Sequence, residues 1–217
     1  AHDDGVRVLL GLVATTAARH DRFIEPVLAL FDGHHVRVSV KVRRSKERAS
    51  DVMDMMGWRI REPHGGYRFV QHPTPEEVER GSGPMWVGPL WSKDIAGRMT
   101  EERALALCSP SLDEVERART SGLEWGDADQ EYSQRELRRS VRYIADAADL
   151  MSRDHLLLHI DDLPNMAGVT HAPKLEVLFS SLREHGHCAA RVPDIDPFFV
   201  TDAPLEAVLE RVRSLVG

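Results

Sequence analysis

Histidine and arginine are the residues through which this chain could do chemistry. His155 and His159 stand four apart in "HLLLH", the spacing that brings two imidazoles together on one helical face, as in zinc-binding HExxH. The Glu of that motif is absent, and Leu156 to Leu158 followed by Ile160 read equally well as a strand, which aligns both rings without any metal. His34-His35 and His185-x-His187 lack Cys or carboxylate partners at ligand spacing, so they are assigned capping and surface roles. The two cysteines, Cys108 and Cys188, form no CxxC pair. That excludes a disulfide framework and a cysteine zinc ribbon, and it fits a reducing compartment. No Gly-rich phosphate loop, GxSxG elbow or Walker sequence is present. The sequence therefore holds no complete catalytic centre of its own.

The densest cationic stretch is Lys41, Arg43, Arg44, Lys46 and Arg48. It is either a set of phosphate contacts or a solvated strand end. Across 217 residues the formal net charge is -7, which excludes indiscriminate binding of nucleic acid through a basic excess. The 42% hydrophobic and 29% charged residues describe a globular chain. No apolar run reaches the roughly 20 residues of a membrane span. With no signal peptide at its start, the expected location is the cytoplasm.

These side chains need elements to position them. "GVRVLLGLVATTAAR" repeats apolar residues at Val6, Leu9, Leu10, Val13 and Ala17, which predicts a helix, and His2, Asp3 and Asp4 before it suit the dipole. "FIEPVLALFDGH" leads into the clearest strand, with Val36, Val38, Val40 and Val42 on one face and Arg37, Ser39, Lys41 and Arg43 on the other. A central parallel strand would be apolar on both faces, so this one has a cationic face that is solvated or meets a polyanion. "SKERASDVMDMMG" predicts a helix stopped by Gly57, "GYRFVQH" a strand after the Gly65-Gly66 turn, and "HPTPEEVERGSG" a connector. Ser92 and Thr100 are expected N-caps. "SLDE" from Ser111 and "SQRE" from Ser133 have capping-box spacing, the second opening a helix with Leu137, Val141, Ile144, Ala148 and Met151 in one stripe. The composition breaks between them at "TSGLEWGDADQEY". The last segment reads as two helices, "IDDLPNMAG" and "APKLEVLFSSLREHG", two strands, "HCAARVP" and "DPFFVTD", and a closing helix capped by Thr201 or Asp202. That order is winged-helix-like. "GPMWVGPLW", Gly83 to Trp91, is too broken by Pro and Gly for a helix or a central strand, and it places two of the four Trp within nine residues.

Four segments in order resemble the tRNA (guanine-26-N2) dimethyltransferases. "GVRVLLG" is similar to that family's "GLRILLG" helix, "IEPVLALFDGHHVRVSVKV" to its "HYvRvfvrv" strand, "GPMWVGPLW" to its "GPLWlGpL" signature, and "SLREHGHCAARVPDIDPFFVTDAP" to its "KTdAP" ending. His35 replaces the family's Tyr, Arg191 is followed by Val192 and Pro193 where the family has a His, and the Cys pairs of many members are missing, which argues against a zinc-supported version. The resemblance implies that Ala1 falls part-way through a protein whose upstream methyltransferase domain carries the S-adenosyl-L-methionine loop and an Asp-Pro-Phe-Gly motif, so this chain is expected to be inactive alone. It implies an α/β fold: the tail of a Rossmann-like sheet over residues 1–60, then an α+β tRNA-binding domain over 61–217 with a winged-helix-like end over 154–217. Arg37, Lys41, Arg43, Arg44, Lys46 and Arg191 are the expected RNA contacts, and Trp86 and Trp91 are expected to serve as interdomain anchors or base-stacking platforms. The expected partners are tRNA and the upstream domain, with neither membrane nor DNA. A winged-helix DNA regulator is disfavoured because "APKLEVLFSSLREH" balances Lys174 and Arg183 with Glu176 and Glu184. A non-catalytic RNA-binding or scaffold module is the alternative.

Overall fold

Helix α1, His2–Ala18, organises the first half of the molecule. The computed structural model describes residues 2–31, 35–61, 67–108, 112–122, 127–152, 155–192 and 197–217. Val6, Leu10 and Ala14 recur at helical spacing and are buried, as the apolar periodicity predicts. The helix packs on a two-stranded antiparallel hairpin, β1 (Arg22–Phe31) and β2 (Val36–Arg44). Val36, Val38 and Val40 turn toward the core, while Arg37, Ser39 and Lys41 alternate outward and are exposed. The register slips between Pro26 and Leu28, because Pro has no N–H to give the ladder.

Helix α2, Lys46–Ser50, is capped by Ser45, whose hydroxyl accepts from the Arg48 amide at 3.3 Å. It stops at Ser50 and a 3-10 turn follows, Asp51–Met55, so Gly57 is not its terminator. Gly57 lies instead inside β3, Met56–Arg61, where an added Cβ would stand 2.7 Å from the Val70 carbonyl oxygen. Close approach of the backbone, not helix termination, explains this glycine. Strand β4, Tyr67–Val70, forms as expected; the Gly65-Gly66 turn before it lies outside the described residues. The expected connector contains a helix, α3 (Pro75–Arg80), started by a Thr74–Glu77 capping box with Pro75 in its first turn. Strand β5, Gly81–Trp86, closes a sheet of order β4-β3-β5.

Helices α4 (Lys93–Ala96), α5 (Glu101–Cys108) and α6 (Leu112–Thr120) follow. Thr100 accepts from the Arg103 amide at 3.3 Å, whereas Ser92 stands at the N-cap of α4 without a side-chain cap bond. Ser111 lies outside the described residues. Helix α7 spans Asp127–Met151, so Ser133 sits within it instead of capping it; the helical pattern extends upstream of the capping-box match. Its Val141, Ile144, Ala148 and Met151 are buried. Then come β6 (Leu156–His159), α8 (Leu163–Ala167), α9 (Leu175–Glu184), β7 (Ala189–Arg191), β8 (Phe198–Thr201) and α10 (Leu205–Val216). The last sheet has the order β6-β8-β7. Pro204, not Thr201 or Asp202, is the N-cap of α10. Thr201 and Asp202 instead tie β8 to Cys188: Thr201 donates to the Cys188 carbonyl at 2.6 Å and Asp202 accepts the Cys188 amide at 2.7 Å.

The result is a mixed α/β molecule with small sheets, and every strand pairing among the described residues is antiparallel. One apolar cluster joins α1, β1, the Trp86–Trp91 segment, α7 and Val200 of β8; a second fills the space among α8, α9, α10 and Phe199. Among the described residues no helix is long and apolar enough to cross a membrane.

Candidate nucleic-acid interface

The strand alternation of β2 sets the candidate surface. Antiparallel register puts Arg37 opposite Leu30, Lys41 opposite Glu25 and Arg43 opposite Phe23, and directly opposed residues share a face. Arg43 donates to the Glu25 carboxylate at 2.9 Å and Arg48 to its second oxygen at 3.4 Å. The hydrogen bond from Arg43 is the main reason the Glu25 carboxyl is held below its ordinary pKa. Arg48 also stacks over the Phe23 ring, 3.6 Å from its centre. Lys41, Arg44 and Lys46 are exposed and make no ion pair among the described residues. Arg44 falls on the valine side of β2, beyond the half-buried Val36, Val38 and Val40 and the exposed Val42, and directly opposite Arg22, a like-charge pairing that would be relieved by an anion. Arg22 was not expected from the sequence, since its opposition to Arg44 depends on the hairpin register.

Arg191 is elsewhere. It ends β7 and donates through two nitrogens to one oxygen of Glu176 on α9, at 3.1 and 3.3 Å. It lines a cleft of about 580 Å3 with Arg142 and Arg183, two cations that sequence reasoning did not bring to it.

Trp86 and Trp91 are both buried. The Trp86 indole donates to the Pro89 carbonyl at 2.9 Å and the Trp91 indole to the Ala29 carbonyl at 2.7 Å. Between them the backbone is pinned to three elements: Val87 donates to Met55, Leu90 and Trp91 to Met151, and Ser92 to Val27. Large buried rings with satisfied N–H groups are packing residues, so base stacking on either Trp is not the role this geometry gives them.

His155 precedes β6 and His159 ends it, which makes the "HLLLH" segment a strand. His159 accepts the Asp161 amide through Nδ1 at 3.2 Å and meets Phe198 edge to face at 4.6 Å. Among the described residues no three His, Cys, Asp or Glu side chains stand together as a metal site.

A feature invisible to apolar periodicity lies at the start of α1. Arg7 is 1% exposed, and its guanidinium donates to Asp3 at 2.9 Å and to the Trp86 and Gly88 carbonyls at 3.2 and 3.4 Å. Beside it Arg59 pairs with Asp4. Burial holds the Asp4 carboxyl above its ordinary 3.8, against the pull of Arg59. The folded protein therefore binds this proton more tightly than the unfolded chain does. The group's contribution to stability is full below the ordinary pKa and declines as pH rises through the folded value. The stability difference between wild type and Asp4→Asn is accordingly expected to fall as pH rises from 3.8, measured as urea midpoints over a pH series; a flat difference would contradict the assignment.

Comparison with known proteins bears on all of these segments at once. The model of the N2,N2-dimethylguanosine tRNA methyltransferase family matches residues 1–213. The chain belongs to this family. Among tRNA (guanine(26)-N(2))-dimethyltransferases, that of Thermococcus kodakarensis is 24% identical over 216 residues, 99% of this chain and 49% of that protein. That of Methanopyrus kandleri is 27% identical over 187 residues, 86% of this chain and 43% of the relative. A solved complex of Trm1 from Pyrococcus horikoshii with S-adenosyl-L-methionine superposes with a TM-score of 0.69 at 21% identity, covering 97% of this chain and 49% of that one. This N2,N2-dimethylguanosine tRNA methyltransferase family chain thus spans about half the length of the curated relatives it matches.

Proposed function

We propose that this chain is the tRNA-binding portion of a tRNA (guanine-26-N2)-dimethyltransferase. In this reading residues 1–60 complete the catalytic domain's sheet and residues 61–217 form the family-specific domain. The observation that carries it is the cluster of exposed cations at the end of β2 and the start of α2, where Lys41 on the outward face, Arg44 on the valine face and Lys46 of α2 make no ion pair among the described residues in a chain of net charge -7. Such a patch recognises a phosphate backbone by position and not by sequence. The succession α7-β6-α8-α9-β7-β8 with sheet order β6-β8-β7 supports reading residues 154–217 as winged-helix-like, with Arg191, Arg142 and Arg183 as a second cationic side.

S-adenosyl-L-methionine, when bound to the whole enzyme, supplies the methyl groups. Among the described residues no strand leads through a Gly-rich turn into a helix, and no strands run parallel. The residues present do not fit a cradle for that cofactor, and we assign its binding mainly to a methyltransferase segment outside these residues. The role left to this chain is to hold tRNA so that a guanine can leave its stack and reach the methyl donor. The proposed partners are therefore tRNA and the methyltransferase domain of the same protein, in the cytoplasm.

Lys41→Ala combined with Arg44→Ala is expected to weaken tRNA binding by the full-length protein and to flatten the plot of log affinity against log salt by about 1 for each phosphate no longer engaged. Arg43→Ala is expected to do less, because Glu25 already balances that charge. Anisotropy titrations at several salt concentrations measure both, and an unchanged slope in the double variant would remove the patch from the mechanism. A methyl-transfer assay on tRNA with and without a guanine at position 26 tests the activity itself.

A further inference from the structure

The cleft between β4 and β6 has a volume of about 630 Å3 and lies apart from the cationic face of β2. Tyr67 and Phe69 of β4 line it together with Gln71 just beyond the strand, and alternation sends the two rings to the same side of β4. Arg7 also lines the cleft, with its guanidinium carbon 4.2 Å from the Phe69 ring centre, and Arg59 holds the same 4.2 Å separation from the Tyr67 ring. Both guanidinium groups are held by carboxylates of α1, Asp3 for Arg7 and Asp4 for Arg59. His155 and Leu156 form the opposite wall.

Two properties narrow the ligand. The charges in this cleft are matched, since Arg7 meets Asp3 and Arg68 meets Glu77, so it lacks the uncompensated cations that a phosphate would seek. Its aromatic rings stand two residues apart on a sheet face, roughly 6.6 Å along the strand, the arrangement by which sheet-based RNA binders stack successive unpaired bases. Each half-buried ring has a guanidinium against one face, so a base stacks on the opposite face and little rotamer freedom is left to lose on binding.

We propose that this cleft binds unpaired nucleobases of RNA, stacked on Tyr67 and Phe69. The identification of the RNA as tRNA rests on the function proposed above; the stacking site itself does not.

The test uses full-length protein with a tRNA transcript and with a single-stranded RNA hexanucleotide carrying 2-aminopurine. Wild type is expected to quench the 2-aminopurine fluorescence. Phe69→Ala and Tyr67→Ala are each expected to reduce affinity for both RNAs by roughly 5- to 150-fold, the loss of one stacked base. The salt slope stays unchanged, because stacking releases no counterions, and Phe69→Tyr and Tyr67→Phe retain binding. Should an alanine variant fail to fold, Phe69→Leu, which keeps apolar volume without a π face, is read for the same loss. Unquenched fluorescence with wild type, or an unaltered affinity in the folded Ala or Leu variants, overturns the proposal. Quenching of the hexanucleotide without any tRNA binding overturns the tRNA reading and leaves the cleft. Loss of tRNA binding confined to the Lys41 and Arg44 variants does the reverse.

Discussion

Trp91→Ala is expected to lower the unfolding free energy by about 3–5 kcal/mol, the range for truncating a buried Trp. The ring is 3% exposed in the larger apolar cluster, and its loss leaves a cavity that the surrounding Leu90, Met151 and Val192 can fill only in part. It also leaves the Ala29 carbonyl without its indole donor, an added desolvation cost of about 1–3 kcal/mol if water cannot reach it. Trp91→Phe separates the two effects, because it keeps most of the ring volume and deletes only the N–H. Urea denaturation of both variants measures them, and a loss under about 1 kcal/mol for Trp91→Ala would mean that this segment is not part of the core.

Arg7→Ala is the second large effect, about 3–5 kcal/mol by the cost of breaking a buried ion pair from one side. The Asp3 carboxylate and the Trp86 and Gly88 carbonyls would each lose a donor in a water-poor environment. Arg7→Lys is expected to recover only part of the loss, since one ammonium cannot reproduce a planar fork aimed at a carboxylate and two peptide oxygens. Removing Asp3 together with Arg7 is expected to cost less than Arg7→Ala alone, because no uncompensated charge then remains. A double variant as unstable as the single one, read from urea midpoints, would assign the loss to packing alone.

What the sequence made legible follows from which forces are periodic. The Val36 to Val40 alternation and the Val141 to Met151 stripe each have one face toward solvent and one toward the core, so their periods show without any knowledge of neighbours, although Val42, on the same face, ends up exposed. Gly57 is misread from sequence because a glycine stopping a helix and a glycine admitting a close backbone look alike until Val70 is seen against it. Helix α3 escapes notice because its flanking prolines suggest a connector, although Thr74, Pro75 and Glu77 together spell a helix start. The same limit applies to the site. Exposed cations on β2 can be named from the sequence, but their neutralisation by Glu25, the opposition of Arg22 to Arg44 and the gathering of Arg142 and Arg183 beside Arg191 depend on partners far along the chain. Arg7 is the extreme case: a cation in an apolar helix, made tolerable by Asp3 and by the carbonyls of Trp86 and Gly88.

The four backbone donors from Val87 to Ser92 also bear on how the molecule comes apart. Their acceptors belong to Met55, Met151 and Val27, so this short stretch behaves as a peptide rivet through segments remote from one another in the chain. Separating the early strands from the end of α7 would break backbone hydrogen bonds as well as part apolar surfaces. The two regions are thereby coupled into one cooperative melting unit, and large relative motion is left to the elements outside that rivet.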